Sequence, residues 1–158
     1  MHKLIAASVG LIFAGAAAFS ESHSHSHSHD HDHDHDHMAR TPAPEGAMAY
    51  FIGLDDGATV SNPVTLHFGA RGIGIAPANV EWPNTGHHHL LINVDPAEVE
   101  MEFGLPADAQ HIHFGGGQTE VTLDLPEGTH TMFLLMGDHN HVPHDPPIMS
   151  EVLTITVE

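Results

Sequence analysis

The chain has 158 residues, enough for one compact domain plus accessory segments. Cysteine is absent, which excludes disulfides, thiolate metal sites and cysteine nucleophiles together. With 3 Lys+Arg against 21 Asp+Glu the formal net charge is -18, and so acidic a chain repels nucleic acid and anionic lipid.

The first element is a leader. His2 and Lys3 precede an apolar run over residues 4–19, which has the length of a secretory h-region and is short for a bilayer span. Small residues around Ala16, Ala17, Ala18 and Ser20 admit cleavage before Phe19 or before Glu21. Residues 1–20 therefore read as a signal peptide. The mature chain is expected to be periplasmic or secreted, with no membrane insertion after cleavage.

Next comes a low-complexity tract with histidine at every odd position: His23, His25, His27, His29, His31, His33, His35 and His37. Serine fills the gaps in its first half and aspartate in its second. Almost no apolar side chains are available to offset ordering entropy, so residues 21–46, tract plus a Pro42 and Pro44 linker, are expected to be disordered. Neutral imidazole is the commonest metal-ligating side chain, and such a tract binds divalent transition metals at high capacity and moderate affinity. Zinc and copper(II) are the expected cofactors, with nickel a further candidate. Cleavage before Glu21 would also leave an amine-x-x-His end at Glu21, Ser22 and His23, a square-planar site for copper(II) or nickel(II).

From residue 47 to 158 the pattern is that of a folded all-β domain. Val64, Leu66 and Phe68 alternate with Thr65, His67 and Gly69; Val121, Leu123 and Leu125 alternate with Thr122 and Asp124. Leu153, Ile155 and Val157 alternate with Thr154 and Thr156, and residues 50–54, 88–94 and 131–136 are three further β-prone runs. Turn signals stand between them at Asp55, Asp56 and Gly57, at Asn62 and Pro63, at Pro126 to Gly128, and over 143–147. Residues 96–101 read as a short helical turn. About seven strands in this length predict an immunoglobulin-like or cupredoxin-like β-sandwich, with a barrel second. In that fold His130 takes the place of a corner tyrosine and bonds to backbone.

The domain histidines divide by spacing. His111 and His113 leave one face of an extended segment, with Ile112 and Phe114 free to face the core. If Leu90, Ile92 and Val94 face the core, His88 shares their face as a core residue, while His87 and His89 take the other. Asp138, His139 and His141 lie in one loop. His87, His89, His111, His113, Asp138, His139 and His141 form the candidate constellation for a nitrogen/oxygen metal site. His67 is expected to be exposed. Nothing marks a catalytic base or a nucleophile elbow, so no enzyme is predicted.

Three segments carry a resemblance. Gly86-His87-His88-His89-Leu90-Leu91-Ile92, His111-Ile112-His113-Phe114-Gly115-Gly116-Gly117-Gln118-Thr119-Glu120 and Leu125-Pro126-Glu127-Gly128-Thr129-His130-Thr131 resemble an exported bacterial family known as domain of unknown function 4399. The likeness runs over residues 50–157 and also matches Asp138; the tract lies outside it. It implies a small β-domain behind a signal peptide, without an established activity. A fainter likeness, to periplasmic copper-resistance sandwiches, rests on the Asp138 to His141 loop.

Together these readings predict a metal buffer, scavenger or chaperone of the envelope. Its partners would be divalent transition metal ions and a receiving transporter or envelope metalloprotein. The rival is a non-enzymatic binding or adhesion module in which the tract is incidental.

Overall fold

The computed structural model describes residues 40–158; the leader, its cleavage site and the tract lie outside them. The described chain is all-β, two open sheets packed face to face. The smaller sheet has the order β1 (Met48–Ile52), β3 (Val64–Arg71), β7 (Glu120–Leu123), all antiparallel. The larger has the order β2 (Thr59–Val60), β9 (Leu153–Val157), β8 (Gly128–Gly137), β5 (Thr85–Ile92), β4 (Gly74–Ile75). The far edge of β5 is shared: β4 pairs with its first residues and β6 (His111–His113) with its later ones. Seven of these strands coincide with the apolar runs and the His-x-His segment; β2 and β4, two residues each, carry too little pattern to be read. The helical turn is a single 3-10 turn, Pro96–Glu98, capped by the Asp95 carboxylate on the Ala97 N–H. Among the described residues no helix is long and apolar enough to cross a membrane.

The main core lies between the sheets. Val64, Leu66 and Phe68 of β3 meet Leu90 and Ile92 of β5, Met132, Leu134 and Met136 of β8, and the apolar face of β9. A second apolar layer covers the outer face of the large sheet, where Leu91, Phe133 and Leu135 pack with Leu105, Val94, Val99, Met101 and Met149. Being buried on both faces, β5 and β8 read as continuous apolar or histidine runs instead of alternating ones.

Two expectations change here. Val94 does not follow Leu90 and Ile92 into the core. Asn93 between them sits at φ 56, with its backbone and side chain both bonded to Thr131, and this turns Val94 to the outer layer. Residues 40–46, expected as a disordered linker, are docked from Arg40 onward. Pro42 bridges Asp145 in parallel, and the Ala43 N–H donates to the Asp145 carbonyl at 2.8 Å.

Candidate metal centre

Strand parity places the first imidazoles. On β5, His88 points inward beside Phe68, with ring centroids 5.1 Å apart, and its Nε2 lies 3.4 Å from the Gly69 carbonyl. His87 and His89 point to the outer face. Pairing of β5 with β6 sets His113 directly opposite His89, while Ile112 and Phe114 go to the core. Pairing with β8 sets Gly137 opposite His87.

That glycine opens the space. A Cβ at residue 137 would lie 2.7 Å from His89 Cε1, and one at Gly115 would lie 2.3 Å from His113 Cε1. Over this gap comes the loop after β8. His141 takes the left-handed conformation, φ 70, and brings its ring to 4.7 Å from His113 and 5.1 Å from His87, centroid to centroid. His89 closes the group, 4.8 Å from His87 and 5.0 Å from His113. One ligand nitrogen from each of His87, His113 and His141 lies within 4.8 Å of the others. Zinc–imidazole bonds of about 2.0–2.1 Å need nitrogens roughly 3.4 Å apart, so the rings would have to close by up to about 1.4 Å around an ion.

The electrostatics favour the ligating form. His87 and His89 are fully buried. Burial, then repulsion from His113 and His141, pushes His87 down to about 4, with Asp138 opposing the shift. Burial, then the neighbouring imidazoles, pushes His89 to about 2. His113 is lowered by burial and by His141. These rings are therefore neutral and carry a lone pair, as metal ligation requires. They are also unpaired. Both ring nitrogens of His87, both of His89 and Nε2 of His113 are buried without a hydrogen-bond partner. Each such group costs about 1–3 kcal/mol, and buried polar atoms are rarely left this way. A cation bound between the rings would satisfy them.

The pattern of the Domain of unknown function (DUF4399) matches residues 66–158. The chain belongs to that family. The DUF4399 match contains all four clustered imidazoles and both room-making glycines; β1 and the docked segment before it lie outside. No curated protein matches the chain. One solved structure, an endo-beta-1,4-mannanase from Thermotoga petrophila, is similar at 16% identity over 71% of this chain and 20% of that one, with a TM-score of 0.41. A likeness that faint carries no argument.

Within the DUF4399 domain three of the anticipated site residues fall elsewhere. His111 Nδ1 is 2.9 Å from the Asp108 carboxylate, which also caps the backbone N–H groups of Gln110 and His111. His139 turns away to Asn140, with Nε2 2.9 Å from the side-chain amide. Asp138 is buried, with Oδ1 accepting from the Asn140 and Val142 N–H groups and Oδ2 from the Thr41 hydroxyl, so it shapes the loop and lies outside the group of clustered imidazoles. His23, His25, His27, His29, His31, His33, His35 and His37 lie outside the described residues.

The remaining histidines have other roles. His130 Nε2–H donates to the Pro126 carbonyl at 2.7 Å, and Nδ1 accepts from Asn93 at 3.0 Å, as the corner reading requires. His67 is half-exposed, 3.0 Å from Glu120 across the strand pair. Sequence reasoning passed over Gly115, Gly137 and Thr41. Glycine in a strand hints at close approach, but a lone threonine before a proline carries no such mark.

Proposed function

We propose that this protein is an envelope metal-binding protein, a buffer, scavenger or carrier for zinc or copper(II), whose folded domain binds one ion through His87, His113 and His141 with His89 beside them. The observation that carries this reading is the group of buried, unpartnered imidazole nitrogens facing one another at the end of the large sheet. Histidines hydrogen-bonded to one another would favour the adhesion-module reading; in this cluster those bonds are missing. An all-imidazole set without thiolate or thioether suits zinc, copper(II) or nickel(II) better than copper(I). In this reading the tract collects ions at many equivalent sites and the domain retains one.

The test is calorimetric titration of zinc and copper(II) into the full chain and into the full chain with asparagine at the eight tract positions. The substituted chain is expected to bind one ion tightly, and His113→Ala to weaken that event at least about 100-fold, while His111→Ala leaves it unchanged. The unmodified chain adds further, weaker sites. A tract-substituted chain that binds neither metal overturns the proposal.

A further inference from the structure

Three of the four imidazoles are held by sheet pairing, His87 and His89 on β5 and His113 on β6. His141 alone stands on a loop. Its placement depends on the Asp138 carboxylate, whose Oδ1 accepts from the N–H of Asn140 at 2.9 Å and of Val142 at 3.1 Å, the residues on either side of it. The turn is closed by the Asp138 N–H on the Val142 carbonyl and the His141 N–H on the Asp138 carbonyl, both 2.9 Å. A non-glycine residue keeps a left-handed conformation only where its surroundings determine it. The carboxylate provides that determination here.

What holds the carboxylate comes from far away in sequence. Thr41 Oγ1 donates to Asp138 Oδ2 at 2.6 Å. Thr41 belongs to a strap laid along the same loop. Arg40 Nε donates to the Pro143 carbonyl at 3.0 Å, Nη2 to the His144 carbonyl, and Nη1 lies 3.4 Å from Asp145. The Asp145 N–H donates to the Thr41 carbonyl at 2.9 Å, and the Ala43 N–H to the Asp145 carbonyl. Without the Thr41 hydroxyl, a buried carboxylate oxygen loses its donor, and the cheapest remedy is for the turn to relax and carry His141 with it.

We propose that residues 40–43 form a latch on the metal centre, with Thr41 the positioning residue for His141, so that metal binding and strap docking are coupled. This rests on the metal reading above. Coupling is reciprocal: whatever factor the docked strap adds to metal affinity, bound metal adds to strap docking. The strap also continues directly from the tract.

The experiment uses the full chain with asparagine at the eight tract positions, titrated with zinc in competition and with cobalt(II) as a spectroscopic probe. Thr41→Val is expected to weaken zinc binding about tenfold, a typical coupling, and to change the cobalt(II) visible band; Thr41→Ser restores both. In the parent, zinc should slow hydrogen exchange of the Ala43 and Asp145 amides by a similar factor. Parental affinity and spectrum in Thr41→Val, or exchange at those amides indifferent to zinc, overturns the latch while the metal reading stands. A parent that binds neither zinc nor copper(II) overturns both.

Discussion

At the scale of single residues, the centre depends on side chains that are absent as much as on those present. Gly115 and Gly137 leave room that a methyl group would take from the His113 and His89 rings. Gly137→Ala faces a ring edge on one side and the His141 backbone at 3.2 Å on the other, so it has little freedom to adjust. It is expected to cost about 1–3 kcal/mol of stability and to abolish one-to-one zinc binding, read by urea unfolding and titration on the same sample. Full affinity in this variant would mean that the ion sits elsewhere. His111 shows how a local partner defeats a spacing argument. It shares a face with His113, as the His-x-His step predicts, but Asp108 lies three residues back and pairs with it first.

At the scale of elements, period-two parity was readable along β5 as far as Ile92, and it correctly separated His88 from His87 and His89. It failed at Asn93, where one left-handed residue exchanges the faces of everything after it. The corner before β8 was readable too, because its turn residues and the apolar strand that follows are local. There His130 serves the fold. His130→Phe keeps the ring volume but leaves the Pro126 carbonyl and the Asn93 amide without their partner. It should lower stability by roughly 1–2 kcal/mol with zinc affinity unchanged. A loss of zinc affinity matching that of His113→Ala would place His130 in the centre after all.

At the scale of the whole molecule, buried neutral imidazoles make the metal-free fold sensitive to acid. In the unfolded chain His87 and His89 titrate near 6.5, whereas in the fold they are held near 4 and 2. Between those values the unfolded state binds more protons, so stability is lost as pH falls below about 6.5. At pH 5 the loss is on the order of 2 kcal/mol for each ring. Urea midpoints of metal-free protein should therefore fall from pH 7.5 to pH 5, and the fall should shrink when His87 and His89 are both replaced by leucine. An unchanged midpoint would mean that these rings are not held neutral. If the proposed centre holds zinc in the folded form, zinc should raise the midpoint at neutral pH by mass action. The charge of -18 acts in the same direction over longer range, concentrating cations near the surface at low salt.

The all-β class, the strand faces and the histidine-rich character of this protein were written in the sequence, because strand parity, turn residues and composition are properties of short stretches. Which histidines meet was not. His87, His89, His113 and His141 belong to two strands and a loop separated by up to about fifty residues, and their meeting depends on β5 pairing with both β6 and β8. The Thr41 to Asp138 bond spans 97 residues. Contacts of that separation are set by sheet register and by which buried polar groups must find partners, conditions that exist only once the two layers have packed.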